Sequence, residues 1–589
     1  MTASSAASAV PEPLDGGSDL TTPQSAVGDS LSVASWTVIS RLTGVLRGIT
    51  IAAVLGATYF ANAYQFTNSL PNFVFYGLLA GSMFSSLLIP ALVGHIDSGN
   101  RLAAARTAGG LLGVAMLGML AIVPVVAVAT PWLLKLGSAG APAAGSQVHV
   151  GTLLVLLLLP QVPLYAIVGT ATAVMNAHRR FALAAAAPAL ENLGTIAVLG
   201  AVTVLYTNVA AEHTFPLSLL LLLGLGTTGA VMLHASVQWW GARRAGIVLV
   251  PNAGWRDPQV RATIHRALPA LAQGALAALQ LGALLLAANR VPGGVVAFDL
   301  ATNFYFLPFA LAASPVALSL MPRLSRMTDP GQAGLFRDTY MNGLAFACFF
   351  AVPAATAYIV IAQPIAGVIG FGAFGAAGGR DMIAAALRGL APAIVGETLF
   401  LVTTYACYAR KDTTHPLRGM IIQASVSAVG IVAVTAYIRG PALLTALGLV
   451  FSVGSTVAAW YLVRNLWREM PRGGERTLRP FWQTFVCSAI MAVPAWAGAN
   501  FLASRLTGAP GRIATALLVS AGGAGVYFAA QAVLGAPQME WLAEALRHRW
   551  RQLAGRAAGL SRVTDRQRPR QFTPRLTGLT ANAAEAARS

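Results

Sequence analysis

The chain has 589 residues, of which 56% are apolar and 10% charged, and its mean hydropathy is +0.66. A typical soluble domain is about a quarter charged, so a soluble enzyme is excluded, as are a collagen-like and a wholly disordered chain. The formal net charge is nonetheless +19, from 39 Lys and Arg against 20 Asp and Glu. That surplus would speak for nucleic acid only if it gathered in one soluble region, so an all-α polytopic membrane protein is what remains.

Residues 1–29 hold no Lys or Arg, four acids and many Ser, Ala, Pro and Gly. They read as a disordered tail, since a secretory signal needs a basic start and an apolar core. A membrane helix takes about 20 mostly apolar residues. Fourteen such spans follow, at 31–56, 64–94, 107–133, 149–176, 182–206, 216–240, 264–289, 294–321, 341–366, 382–408, 415–437, 441–463, 481–504 and 513–535. Internal Gly and Pro are tolerated inside a bundle, where neighbours re-satisfy the freed backbone groups. Loops after even-numbered spans carry 20 Lys and Arg; loops after odd-numbered spans carry six. The positive-inside rule then sets the even loops and both termini in the cytoplasm, with the chain in the cytoplasmic membrane.

Ten more arginines follow residue 540, and only Arg41, Arg47 and Arg388 remain, each inside a span. In the tail, Trp541, Leu542, Ala545, Leu546, Trp550 and Leu553 can share one helical face, with Arg547, Arg549, Arg551 and Arg556 largely off it. That is the pattern of an interfacial helix on anionic lipid. Cys348, Cys407 and Cys487 lie in apolar runs without metal spacing, and are expected as small buried hydrophobes.

Three pairs of short motifs recur at nearly one offset. Pro90 and Pro322, each at a span end, are 232 residues apart; Arg179-Arg180 and Arg410-Lys411 are 231 apart; Leu70-Pro71 and Leu307-Pro308 are 237 apart. Spans 1–6 are therefore expected to repeat as spans 7–12 in the same orientation, as two pseudo-symmetric six-helix lobes that rock around a central cavity. The organisation expected is a tail (1–29), an N-lobe (30–240), a C-lobe (241–463), two extra helices (481–535) and a basic cytoplasmic tail (541–589).

No phosphate-binding loop, His-rich cluster or accessible carboxylate pair is visible, so transport is expected rather than catalysis. No cofactor is implied; an ion gradient or the membrane potential is left open as the driving force. Ionisable groups inside the bilayer are costly and usually functional. Arg41 and Arg47 are six residues apart, about 240° net around a helix. They read as a guanidinium clamp on phosphate oxygens, with Gly44 between them allowing a bend, or as side chains snorkelling to the interface. Glu191, Asp299, Glu397 and Arg388 could pair with one another or with these arginines, line a wet cavity, or bind a proton or sodium ion. Asn62, Gln65, Asn68 and Asn72 trace one face of span 2, as a cavity wall or as hydrogen-bonding contacts between helices.

Several stretches resemble the MurJ/MviN family of lipid II flippases, within the superfamily that also holds polysaccharide and multidrug exporters. They are Ser40-Arg41-x-x-Gly44-x-x-Arg47, Leu70-Pro71-Asn72 with Phe84-Ser85 and Pro90, and Asn176-Ala-His-Arg-Arg-Phe181 with Ala187-Pro188-x-Leu190-x-Asn192. Leu307-Pro308 with Met321-Pro322-x-Leu324-Ser325, and Tyr408-Ala-Arg410-Lys-Asp412-Thr-x-x-Pro416, continue the series over residues 30–470. The resemblance implies a flippase for an undecaprenyl-diphosphate-linked glycan precursor, most simply lipid II, with Arg41 and Arg47 on the diphosphate. It also implies that spans 13 and 14 form a groove for a lipid tail. The chain departs from the family at Asn62, where an acid is usual, after Asn72, and at Ala301-Thr302-Asn303, where Ala-Asp-Arg is common. Asn62, Asn72 and Asn303 are therefore expected beside the substrate. The alternatives are a paralogue that moves another polyprenyl-linked glycan or exports a natural product, and a non-transporting scaffold among cell-wall synthesis proteins.

Overall fold

In the computed structural model the described residues are 23–78, 92–138, 144–178, 180–206, 209–211, 214–471 and 478–540, with the single positions 544 and 547. Among them every regular element is helical. The first group is α1 (Pro23–Leu55), α2 (Tyr59–Leu78), α3 (Arg101–Gly137), α4 (Ala144–Leu158), α5 (Gln161–Ala177), α6 (Phe181–Leu205) and α7 (Leu217–Arg244). The second is α8 (Pro258–Ala288), α9 (Gly294–Pro308), a π-helical turn (Phe309–Ala313), α10 (Ser314–Ser325), α11 (Ala333–Val360), α12 (Ala362–Ile369), α13 (Gly372–Ala376), α14 (Gly379–Ala409), α15 (Thr414–Tyr437) and α16 (Ala442–Arg468). The last pair is α17 (Arg479–Arg505) and α18 (Gly508–Val533).

Among the described residues, eleven helices are long and apolar enough to cross a membrane, or twelve if α4 and α5, bent by 41° at Leu159-Pro160, form one span. Spans 2 and 8 of the expected fourteen are not among these helices; span 2 runs on into residues 79–91, outside the described residues. In α2 the polar residues Asn62, Gln65, Thr67, Asn68 and Ser69 dilute the apolar surface. The eighth span is divided into α9, the π turn and α10, because Pro308 has no N–H to continue the ladder. The first helix starts at Pro23, inside the expected tail; a proline suits the first helical turn, where its missing donor is not needed.

The helix pairings repeat six spans on. Span 1 packs on span 5 as span 7 packs on span 11; 4 packs on 6 as 10 on 12; and 5–6, 2–4 and 3–4 match 11–12, 8–10 and 9–10. Two copies of one bundle pattern therefore stand side by side, and α17 adds to the second by packing on α11. Residues 528–589 form a separate unit. There the chain is helical at 537–540, and the interfacial helix expected from Trp541 lies outside the described residues except at positions 544 and 547.

Loops after even-numbered spans touch one another at one end of the bundle, as Arg410 Nη1 does at Glu469 Oε2 (2.7 Å). Loops after odd-numbered spans meet at the other, arginine-poor end. The two lobes are joined at this second end. Asn62 Nδ2 donates to Val291 O (2.7 Å) and Asn289 O (3.4 Å), and its Oδ1 accepts from Val295 N (3.0 Å). Asn289 Nδ2 donates to Gln147 Oε1 (3.2 Å), and Gly293 N donates to Thr58 O (3.2 Å). Gly293 has φ +72°, and a Cβ there would lie 2.6 Å from Ala57 Cα. Only glycine allows this backbone approach without strain.

Candidate functional site

The second half of α1 is buried in the core through Ile51, Ala52 and Leu55, whereas Trp36, Val38, Ile39, Leu42 and Leu46 of the first half are exposed. Arg47 stands at the junction. Beside it, Gly48 lets α1 come close to α9: a Cβ at this position would lie 2.8 Å from Leu300 Cδ2. This approach brings the guanidinium of one lobe toward an acid of the other.

Arg47 Nη1 lies 3.4 Å from Glu191 Oε1 of α6, and its side chain is 21% exposed. Glu191 also accepts from Tyr165 Oη at Oε1 (3.0 Å) and from His234 Nδ1 at Oε2 (2.8 Å). Gln238 Nε2 donates to Ala184 O (3.3 Å) and sits 3.5 Å from His234 Nε2. With Gln238 as donor, Nε2 of the imidazole is the acceptor and Nδ1 carries the proton given to Glu191. On the opposite side Arg47 is within electrostatic reach of Asp299 of α9 and of Tyr64. Asp299 is occupied by its own partners: Asn303 Nδ2 donates to Oδ2 (3.2 Å), and Gln65 reaches the same carboxylate.

The expected residues fall into three groups. Arg47, Glu191, Asp299 and Asn303 are brought together, with Gln65 of the polar stripe. Arg41 is exposed and has no side-chain partner among the described residues; about 240° of helical turn sends it elsewhere. The local anchor of α1 is instead Asn192, whose Nδ2 donates to Ser40 O (3.2 Å) and Thr43 Oγ1 (3.1 Å). Asn72 is half-buried, and its Nδ2 lies 3.5 Å from Asn68 O.

The remaining expectations are redirected. Asn62 is fully buried in the lobe-to-lobe joint, both ends of its amide being used there, and so is not on an open wall. Arg388 and Glu397 do not pair: nine residues put them about 180° apart on α14. Glu397 accepts from Gln423 Nε2 of α15 (2.5 Å), and Arg388 is exposed with no side-chain partner among the described residues. Tyr165, His234 and Gln238 went unnoticed in the sequence. The one visible signal was His234 and Gln238 at i, i+4 on a largely apolar helix.

Two matched lobes with a paired cation and acids between them define a two-lobed membrane transporter. The chain belongs to the family described as lipid II flippase MurJ, whose model matches residues 51–520. It is 25% identical over 494 residues to the probable lipid II flippase MurJ of Vibrio cholerae, covering 82% of this chain and 90% of that protein. It is 24% identical over 478 residues to the lipid II flippase MurJ of Burkholderia cenocepacia, covering 80% and 88%. A match to the Rhizobium meliloti protein is 27% identical and spans 61% of that protein. In fold, the chain resembles the lipid II flippase MurJ in an inward closed conformation, with a TM-score of 0.65 at 16% identity over 85% of this chain and 98% of that one. An inward-facing multidrug transporter of the MATE family and MOP superfamily gives a TM-score of 0.57 at 15% identity, over 74% and 99%. The family consists of transporters, not enzymes.

Proposed function

We propose that this chain is a flippase that moves lipid II from the inner to the outer leaflet of the cytoplasmic membrane by alternating access. Both termini are cytoplasmic in this reading, and the arginine-rich end faces the inner-leaflet anionic lipids. The observation that carries it is Arg47. A guanidinium within a span, held between acids of two lobes, is suited to a diphosphate that must be bound and then released. Arg41, about one and two-thirds turns nearer the arginine-rich end and exposed, makes the earlier contact. In this state the lobes are joined at the outer end, so the substrate enters from the cytoplasmic leaflet.

The test is export of lipid II in cells whose own transporter has been withdrawn, with each variant checked for insertion. Arg47→Ala is expected to lose at least about tenfold of the export rate, because an interaction with a charged group is removed. Arg41→Ala is expected to lose less. Full activity in both variants would refute the diphosphate contact. Movement of lipid II by the purified protein in liposomes separates a transporter from a scaffold.

A further inference from the structure

Glu191 is unexpected beside a cation intended for a substrate anion. A free guanidinium would bind diphosphate more tightly, yet Arg47 meets a resident carboxylate. That carboxylate is restrained from behind by Tyr165 and His234, and His234 is braced by Gln238. The Arg47 contact, at 3.4 Å, is the longest of the three, and it shares Oε1 with Tyr165. The titratable groups facing Glu191 from the packed elements are Arg47 of α1, Tyr165 of α5 and His234 of α7. Asp299 and Tyr64 face Arg47 instead.

We propose that Glu191 is an internal competitor for Arg47, which the substrate diphosphate displaces on loading and which reclaims Arg47 at release. Tyr165 and His234 are positioning residues. They hold the ion pair long enough to open, and they keep two hydrogen bonds on the carboxylate while Arg47 is engaged elsewhere. The step is an exchange of counter-ions, with no covalent bond made or broken. A buried carboxylate stripped of all partners would be prohibitive; one that keeps two donors is not. The inference rests on the transport reading, since it needs a diphosphate on Arg47.

The test uses the full-length protein in detergent and liposomes with undecaprenyl diphosphate as the probe. Glu191→Gln removes the competitor. Binding should tighten about tenfold, the scale of one charge-assisted hydrogen bond, while turnover in liposomes falls because release is no longer assisted. Tyr165→Phe should do the reverse. Oε1 is then left to Arg47 alone, the pair shortens, and probe binding weakens several-fold. The double variant should bind as Glu191→Gln does, since Tyr165 acts only through Glu191. Unchanged or weaker binding in Glu191→Gln, or a shift of the same sign in both single variants, overturns the competitor and leaves the transport reading standing. If Glu191→Gln does not accumulate, unchanged or tighter binding in Tyr165→Phe is enough to overturn it. Failure of the unaltered protein to bind or move the probe would refute both readings.

Discussion

Arg41 and Arg47 share a helix and a residue type, yet only Arg47 reaches acids, because six residues turn the two side chains well apart. Other arginines serve backbone. Arg290 Nη1 (2.7 Å) and Arg439 Nη1 (3.3 Å) both donate to Thr435 O near the C-terminal end of α15. Arg380 and Arg512 donate to Gly370 O and Gly367 O around the end of α12, each at 3.0 Å. Cations are favoured at helix C-termini, so four of the six basic residues at the arginine-poor end have a local structural reason. Burial and then the neighbouring Arg439 hold the Arg290 guanidinium below the usual arginine value. At the opposite end, Asp412 accepts from Thr414 N (2.9 Å), His415 N (3.2 Å) and His415 Nδ1 (2.6 Å). Partial burial pushes its carboxyl up, but these hydrogen bonds outweigh burial and hold it below the usual range. Its contribution to stability is thus fully present above the unfolded value of about 3.9 and is lost as pH falls through the lower folded value. Asp412→Asn should lower the melting temperature in the neutral region and flatten its acid limb, the variant and the unaltered protein converging below about pH 4.

The elements that depart from uniform apolar helices do so for identifiable reasons. In the eighth span Pro308 cannot donate to the carbonyl four residues back, which is Phe304 O. Tyr358 Oη of α11 donates to it at 2.9 Å, so the broken helix is completed by its neighbour. Tyr358→Phe should leave that carbonyl unsatisfied and cost about 1–3 kcal/mol, read as a lower melting temperature in detergent. At the α1–α9 contact, Gly48→Val would meet Leu300 and force the helices apart, moving Arg47 away from Asp299. It should reduce export more than expression, measured on membranes matched for protein level. The polar stripe of α2 was legible as a pattern. Its use was not, because Asn62 is satisfied by backbone more than two hundred residues away.

At the scale of the molecule, one pairing pattern occurs twice, and the copies meet through a shared apolar core as well as through hydrogen bonds at one end. A rocking motion has to separate apolar contacts such as Gly48 against Leu300 along with those hydrogen bonds. The orientation proposed from charge can be checked directly because all three native cysteines are buried. Cysteines introduced at the exposed positions Ser98 and Pro292 should be labelled by a membrane-impermeant thiol reagent from opposite sides, Pro292→Cys in intact cells and Ser98→Cys only after lysis. Labelling of Ser98→Cys in intact cells would invert the topology.

The class, the alternation of charged loops, the internal repeat and the family were all readable in the chain. Each rests on local composition or on motifs at fixed spacing, and apolar length and loop charge act through the solvent rather than through specific contacts. The tertiary structure alone decided which polar residues meet. It joined Arg47 to Glu191, placed Tyr165 and His234 behind that carboxylate, buried Asn62 in the joint and separated Arg388 from Glu397. Those outcomes depend on helix rotation and on approaches set by residues such as Gly48 and Gly293. Rotation by one residue is about 100°, enough to turn a substrate contact into a structural one, and no local pattern encodes it.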